Sequence, residues 1–325
     1  MCIFIFIKSP VDLPKYIAIY VLSNFIGSLS LWFYLPKYIL KINYKKFDFK
    51  KHIKPAIILF IPQIATQIYT VLDKTMIGLL VENKAEVGYY EQAQKIVKLL
   101  MTLATSLGTV MMPRIANTYM KGETKKMKEY MNNSFSFILL LAFPLMFGII
   151  SISNKFVPLF YGKGYDKVIY LINIISPIIV IIGLSNVIGT QYLLPTNQQK
   201  KFTITVILGA IVNFILNLLL IPHWKSIGAS IATVFAELIV TFTQFILVKN
   251  EFSFMYIVKI SYKYIISSII MFLCSIFIGN YIKNYIFSIS IQIIISICIY
   301  FIILLILKDK MLLYIINKIL RKKEK

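Results

Sequence analysis

The stretch YTVLDKTMIGLLVENKAEVGYYEQAQKIVKLL, from Tyr69 to Leu100, decides the fold. It reads as the end of one apolar helix, a short polar turn and the beginning of a second helix. Both helices nevertheless contain charged residues, namely Asp73, Lys74, Glu91, Lys95 and Lys98. Because charged groups need polar surroundings, this pattern predicts a helical hairpin with one hydrophilic face.

Long apolar segments recur through all 325 residues, of which 58% are hydrophobic and only 15% are charged. A helix needs about 20 apolar residues to cross the hydrocarbon core of a membrane. We therefore predict an all-α integral membrane protein. Its nine expected transmembrane spans are 15–35, 55–80, 88–113, 134–154, 167–194, 202–221, 227–248, 257–279 and 286–307.

The net charge of +22 is typical of two classes, nucleic-acid-binding proteins and membrane proteins with basic cytoplasmic loops. No basic stretch accompanies a soluble recognition module, so we expect no nucleic-acid partner. One set of alternate loops holds 24 Lys and Arg residues and the opposite set holds 8. The positive-inside rule then places the C-terminus in the cytoplasm.

No motif of a soluble enzyme occurs in the chain. The three cysteines and two histidines have no metal-ligand spacing, and we find no phosphate-binding glycine loop or nucleophile elbow. A membrane glycosyltransferase usually carries acids and arginines in a sizeable outer loop, but the only arginines here are Arg114 and Arg321 in predicted cytoplasmic segments. We expect no enzymatic activity and no metal or organic cofactor.

Polar residues form a stripe on each helix of the hairpin, because a helix turns by about 100° per residue. In the first helix the stripe consists of Gln63, Gln67, Thr70 and Lys74, with Asp73 further round the same side. In the second it consists of Glu91, Lys95, Lys98 and Thr102. Glu91 precedes Lys95 by four residues, the favourable orientation for a helical ion pair.

The three lysines of these stripes are expected in the outer half of the bilayer. A charged residue at such depth costs at least about 2.5–3.5 kcal/mol on insertion, and it usually faces a water-filled pathway. The alternative is that Lys74 extends to the membrane surface and merely pairs with Asp73. Matched stripes on neighbouring helices favour a hydrophilic cavity with a positive bias.

Two further polar patterns leave alternatives open. Glu237 lies near the middle of its span, where burial favours a protonated carboxyl group, so it is a candidate proton or Na⁺ site or a residue that fixes helix packing. Gly209, Asn213 and Asn217 at four-residue spacing favour helix contact over ligand binding. Pro177, inside span 167–194, predicts a kink.

Two segments are polar or amphipathic and are predicted to lie at the membrane surface. Residues 114–133 could form one surface helix on the cytoplasmic side, and the C-terminal sequence LLYIINKILRKKEK has the same character with a basic end. Anionic membrane lipids are the expected partners of such segments.

An ordered set of motifs resembles one known family. The segments are LDKTMIGLL (72–80), EVGYYEQAQKI (86–96), MMPRIANTYMKGE (111–123), VPLFYGKGYDKV (157–168), LLPTNQQKKF (193–202) and IGASIATVFAELIVTFTQF (227–245). They resemble, in the same order, landmarks of the polysaccharide flippases of the multidrug/oligosaccharidyl-lipid/polysaccharide (MOP) exporter superfamily. That family has two six-helix lobes around a central cavity, often followed by two added helices.

The resemblance implies a domain layout. Residues 1–54 would hold the end of the first lobe, with its last helix at 15–35, and a basic cytoplasmic loop. Residues 55–248 would form the six-helix second lobe, and 249–325 the two added helices with a basic tail. On this reading the chain lacks four to five helices at its start, so a truncated sequence and an inactive fragment are both expected alternatives.

The resemblance also implies a function. The expected activity is translocation of an undecaprenyl-diphosphate-linked oligosaccharide across the bacterial cytoplasmic membrane, with a polysaccharide polymerase and other assembly proteins as further partners. Lys74, Lys95 and Lys98, with Gln63, Gln67, Thr70 and Thr102, would bind the head group, and Asp73, Glu91 and Glu237 would couple transport to H⁺ or Na⁺. The alternative is a drug/cation antiporter of the same superfamily, which three cavity lysines disfavour.

Overall fold

The computed structural model describes residues 12–37 and 49–323, and helices with short turns make up these residues. The helices are α1 Leu13–Ser30, α2 Phe49–Leu80, α3 Ala85–Thr105, α4 Leu107–Met120, α5 Thr124–Tyr161, α6 Asp166–Ile175, α7 Ile178–Asn186, α8 Gln199–Leu247, α9 Phe254–Tyr281, α10 Tyr285–Ile306 and α11 Lys310–Lys323. No strand occurs in this part of the chain. The predicted all-α class is confirmed, and helical structure lies at each predicted span.

Seven helical segments of the described chain are long and apolar enough to cross a membrane. The longest, Gln199–Leu247, has 49 residues. At 1.5 Å per residue it would extend for about 74 Å, more than twice the thickness of the hydrocarbon core. Its backbone leaves the helical region at Lys225, with φ 53° and ψ −130°, which divides α8 into the two predicted spans 202–221 and 227–248.

The two arms of α8 pack against each other in antiparallel fashion. Gly209 on the first arm lies directly against Val240 on the second, and the Gln244 side-chain amide donates a hydrogen bond to the Thr205 hydroxyl at 3.4 Å. A β-carbon on Gly209 would collide with Val240. For this glycine the prediction of a helix contact is confirmed.

Contacts within the chain define two units, residues 1–54 and residues 55–325. In the first, α1 is followed by the short 3₁₀ turns Leu31–Phe33 and Leu35–Lys37. In the second, α3 packs on α6 and α7, α8 packs on the same two helices, and α5 packs on α9 and α10. In the second unit, α3 and α8 therefore lie next to each other, packed on the same pair of helices.

The path between α6 and α8 is irregular. Helix α6 ends at Ile175 and α7 begins at Ile178, so the kink predicted at Pro177 is confirmed as an interruption between two helices. Proline cannot donate a backbone hydrogen bond, and its ring clashes with the preceding turn. A π-helical turn, Val187–Leu193, follows α7 and turns the side chain of Thr190 toward the centre of the unit.

The prediction of a single surface helix over 114–133 is wrong. Helix α4 ends at Met120 and α5 begins at Thr124, so the segment is divided between two long helices. The turn between them contains Gly122 at φ 70°, a left-handed conformation that glycine adopts without steric cost.

Two half-buried lysines stabilise the ends of α9 and α10. The Lys155 ammonium donates to the carbonyls of Gly279 and Ile282 at the end of α9. Lys263 likewise donates to the carbonyl of Leu307, at 2.8 Å, just beyond α10. The last carbonyls of a helix lack intrahelical partners and carry partial negative charge, so a cation there is favourable.

Replacing Gly209 by alanine should lower stability. The added β-carbon has no room between the arms of α8, and overpacking of this kind typically costs about 1–3 kcal/mol. We expect a lower midpoint of thermal unfolding in detergent for Gly209→Ala. Gly88→Ala is the matched control, since nothing lies within 4 Å of its new β-carbon; equal midpoints for the two variants would contradict the close packing.

Candidate functional site

A buried carboxylate lies at the centre of the second unit. Asp73 on α2 is 1% exposed and accepts hydrogen bonds on both oxygens. The Asn217 amide donates to Oδ1 at 2.6 Å, while the Tyr90 and Thr233 hydroxyls donate to Oδ2 at 2.6 and 2.9 Å. These donors come from α3 and from both arms of α8, so one side chain ties three helices together.

Further polar groups surround this buried carboxylate network. Gln94 donates to the Tyr90 hydroxyl at 2.6 Å, and Asn217 donates to Asn213 Oδ1 at 3.1 Å. Within this network, Gln94 Oε1 and Asn217 Oδ1 are buried and have no hydrogen-bond partner among the described residues. Buried polar atoms are normally hydrogen-bonded, so these two oxygens keep acceptor capacity.

Three charged side chains form a separate group nearer the protein surface, which we call the exposed charged group. Lys74 Nζ lies 3.5 Å from Glu91 Oε1, and Lys95 Nζ lies 3.1 Å from the same oxygen. Lys95 is 59% exposed at its side chain, and the other two are about a third exposed. Two cations share one anion, so the group has a net charge of +1.

A cavity of about 240 Å³ lies between the network and the π-helical turn. Most of its wall is apolar, and we call it the polar cavity after the charged side chains that reach it. Asp73, Lys98 and Glu237 line it together. Its other polar side chains are Gln94, Ser185, Asn186, Thr190 and Thr233. Since a water molecule takes about 30 Å³ in the liquid, the cavity has room for several waters or a hydrated ion.

The two groups differ in their balance of acids and lysines. Two carboxyl groups and one lysine line the polar cavity, namely Asp73, Glu237 and Lys98. The exposed charged group has two lysines and one carboxylate. The surface group therefore favours an anion, and the cavity offers carboxyl oxygens to a proton or a small cation.

The residues predicted to bind substrate or to couple ions lie in two different places in the structure. Lys74, Glu91 and Lys95 come together in the exposed charged group, and Asp73, Lys98 and Glu237 meet at the polar cavity. Gln67 and Thr102 are exposed, and the Thr102 hydroxyl donates to the Leu99 carbonyl at 2.6 Å. The side chains of Gln63 and Thr70 lie outside the described residues, so their role stays a prediction.

The structure corrects one interpretation. Asp73 does not pair with Lys74; its partners are Tyr90, Asn217 and Thr233, because adjacent helical residues point about 100° apart. The helix contact predicted for Asn217 is present, since its amide donates from α8 to Asp73 on α2.

Sequence reasoning missed Tyr90 and Gln94. Both line the face of α3 opposite to its exposed side, at i and i+4, which is the spacing of a shared helix face. In the sequence, a tyrosine and a glutamine near the end of a transmembrane span are typical of the membrane–water interface, so neither signals a buried site. The partners of the Tyr90 hydroxyl, Asp73 on α2 and Thr233 on α8, come together with it only in the tertiary structure.

The chain is similar in sequence to proteins of glycan and cell-wall export. A family model described as "Polysaccharide biosynthesis protein" matches residues 16–170. The chain is 24% identical over 165 residues to a "Probable low-salt glycan biosynthesis flippase" of Haloferax volcanii, and 26% identical over 231 residues to the "Lipid II flippase MurJ" of Bacillus subtilis. These alignments cover 51% and 66% of this chain, and 34% and 41% of those proteins.

The fold is likewise similar to a solved structure. A "Lipid II flippase MurJ, inward closed conformation" superposes with a TM-score of 0.71 at 24% identity, over 87% of this chain and 60% of that one. The chain thus spans less than half the length of the two curated relatives named above. The resemblance that the ordered motifs predicted is confirmed.

Removing the Tyr90 hydroxyl should destabilise the bundle. Tyr90→Phe leaves Asp73 without one donor and Gln94 without its acceptor, and an unsatisfied buried group costs about 1–3 kcal/mol. We expect a lower midpoint of thermal unfolding in detergent. The control is Tyr89→Phe on the adjacent, half-buried residue, which keeps its edge contact with Tyr165; the prediction fails if both variants melt like the parent.

Proposed function

We propose that this chain, which resembles the polysaccharide flippases of the MOP exporter superfamily, translocates a lipid-linked oligosaccharide across the bacterial cytoplasmic membrane. The carrier lipid is undecaprenyl diphosphate, and the mechanism is alternating access around a central cavity. The observation that carries the proposal is the exposed charged group. Its two lysines, Lys74 and Lys95, share Glu91 as their single acidic partner among the side chains that the structure describes.

An anionic head group is the ligand that this charge distribution favours. Lysine binds phosphate as a strong point charge, and a hydrogen bond to a charged group contributes about 1.5–3 kcal/mol. Lys74 and Lys95 keep donor capacity beyond Glu91, since each ammonium has three donors. A drug/cation antiporter would place excess negative charge at this surface, so that alternative is disfavoured.

The buried carboxylate network is the proposed coupling site for H⁺ or Na⁺. Asp73 offers carboxylate oxygen, Thr233 a hydroxyl oxygen, and Asn217 Oδ1 is buried without a partner in the described structure. Oxygen donors of this kind suit a hard monovalent cation, and a buried carboxyl group equally suits a proton. Glu237 supplies the second carboxyl group of the same cavity.

The orientation and partners follow from the loops and the substrate. We propose that the C-terminus and the basic end of α11 lie in the cytoplasm, where anionic lipids attract lysine and arginine. The translocated oligosaccharide would be passed to a polysaccharide polymerase and other assembly proteins on the outer side.

Removing two lysines should abolish export. Lys95→Gln with Lys98→Gln deletes two charged donors, each worth about tenfold or more in affinity for a phosphate group. In a strain whose surface polysaccharide depends on this chain, we expect at least about a tenfold loss of that polysaccharide by immunoblot. Lys125→Gln, at an exposed lysine on α5, is the control at equal membrane abundance; normal polysaccharide in the double variant would refute head-group binding.

Asp73→Asn should remove ion dependence while keeping most of the hydrogen-bonded shape. In proteoliposomes, translocation of a fluorescent lipid-linked oligosaccharide by the parent chain is expected to respond to an imposed Na⁺ or proton gradient. We expect the variant to be unresponsive to both gradients, because a neutral amide cannot take up either cation. A retained response would place the coupling site elsewhere.

A further inference from the structure

An open groove of about 440 Å³ lies at one end of the second unit, and it shares no lining residue with the polar cavity. It lies beside the turn between the two arms of α8, which the proposed orientation places on the outer side of the membrane. Its described lining residues are Lys167, His223, Trp224, Lys225, Ile227 and Ile231. None of these is acidic and two are lysines, so the groove favours a ligand with negative charge.

The groove is basic at the turn and apolar along the helix. Ile227 and Ile231 are four residues apart on the second arm of α8, so they share one face of that arm and lie about 6 Å apart along its axis. Trp224 at the turn is 53% exposed, and tryptophan is enriched where the hydrocarbon of a membrane meets the head groups. This order matches that of a phospholipid, in which acyl chains follow a charged head.

Lys167 reaches the groove from the first turn of α6. Its ammonium lies 2.6 Å from Oε1 of Glu86 on α3, and Glu86 is buried. The Lys167 side chain nevertheless stays partly exposed. Because an ammonium has three donors, this ion pair leaves donors for a second acceptor. Lys167 is therefore held in place by a buried partner and can still donate to a phosphate oxygen.

Lys225 has a backbone conformation that glycine adopts more readily. Its φ of 53° and ψ of −130° lie outside the regions that a residue with a β-carbon favours. The next residue holds this conformation, because the Ser226 backbone amide and hydroxyl both donate to Glu86 Oε2. The turn thus presents an exposed lysine at a cost in stability that glycine would avoid.

The charge of the groove selects among lipids. The pair of Lys167 and Glu86 is neutral as a whole, and Lys225 makes no ion pair with a side chain that the structure describes. With histidine neutral, Lys225 therefore gives the groove a net charge of +1. A phosphodiester carries a single negative charge, so a phospholipid head complements this groove better than a diphosphate does.

We propose that this groove binds one anionic phospholipid, with its phosphate at Lys167 and Lys225 and an acyl chain along Ile227 and Ile231. The inference goes beyond the proposed function and uses only its orientation, which assigns the lipid to the outer leaflet. The bound lipid joins the beginning of α6 to the turn of α8, and the ion pair of Lys167 with Glu86 extends this link to α3. Anionic lipid therefore stabilises this end of the bundle.

The first experiment measures lipid binding through stability. Thermal unfolding of the purified full chain is followed in an uncharged detergent at pH 8 and constant ionic strength, while phosphatidylglycerol is added to the micelles. Phosphatidylcholine at equal mole fraction is the comparison lipid without net charge. A ligand that binds the folded state raises the unfolding midpoint with its concentration, so we expect a larger rise with phosphatidylglycerol.

For Lys225→Gln we expect the half-effective mole fraction of phosphatidylglycerol to rise about tenfold, because one charge-assisted hydrogen bond is lost. Lys225→Arg keeps the charge and should respond like the parent. Lys163→Gln is the matched control, since Lys163 is an exposed lysine in the turn before α6 and does not line the groove. It should also respond like the parent.

Lys225→Gly separates binding from folding, and it serves as the second variant if Lys225→Gln does not fold. Glycine relieves the backbone strain, so in detergent alone we expect a higher unfolding midpoint than that of the parent. The same variant should lose the response to phosphatidylglycerol by about tenfold, because the ammonium is gone. A folding defect cannot produce both changes.

The second experiment locates the lipid. Phosphatidylglycerol with a photoreactive acyl chain is irradiated with the chain in detergent, and labelled peptides are identified by mass spectrometry. We expect labelling within residues 222–231 in the parent and in Lys163→Gln, and at least about a tenfold loss of that labelling in Lys225→Gly. Labelling that avoids this segment in the parent overturns the proposal.

The other outcomes that overturn the proposal are distinct. An equal phosphatidylglycerol response in the parent, Lys225→Gln and Lys225→Gly does so, and so does an equal weakening in Lys163→Gln, which would reflect general charge. Equal responses to the two phospholipids refute charge recognition. Glycerol 3-phosphate that reproduces the effect makes this a site for free phosphate, and tighter binding of undecaprenyl diphosphate through Lys225 assigns the groove to that carrier.

The proposed function is tested separately. Neither experiment here involves translocation, and neither changes Lys74, Lys95 or Lys98. Loss of the lipid response therefore leaves the head-group proposal intact, and normal export in the double lysine variant leaves the phospholipid site intact.

Discussion

The bonding of one buried carboxylate organises the second unit of this protein. Asp73 is removed from solvent, and an uncompensated carboxylate in such a position would cost several kcal/mol. Its oxygens are instead satisfied by Asn217, Tyr90 and Thr233, from α3 and both arms of α8. Because each donor requires its own helix to be in register with α2, the network fixes the face that each helix turns toward the centre.

That register separates the charges of the hairpin into two groups. Once Asp73 points to Tyr90, its neighbour Lys74 must point about 100° away, where it meets Glu91. The positive group remains partly exposed, whereas the carboxyl groups are enclosed with Lys98. A group with two lysines and one carboxylate thus lies near a cavity with two carboxyl groups and one lysine, and the proposed function assigns the anionic head group to the first and the coupling cation to the second.

Lysines have distinct roles in this fold that composition does not reveal. Lys155 and Lys263 stabilise the carbonyl ends of α9 and α10, while Lys74 and Lys95 face an open polar surface. All contribute equally to the basic composition of the chain. The distribution of lysines between loops therefore predicts orientation, but the contacts of each ammonium decide whether it holds helices together or is available to a ligand.

The sequence by itself determined the all-α class with apolar helices of membrane-spanning length, the kink at Pro177 and the pairing of Glu91 with Lys95, because these depend on local periodicity and on residues within one or two turns. The tertiary structure alone decided the partners of Asp73, the assignment of Lys98 to the cavity and the division of residues 114–133 between two helices. Residues such as Asp73 and Thr233 are 160 positions apart. Their contact depends on how three helices pack, and helical spacing within any one of them carries no information about that.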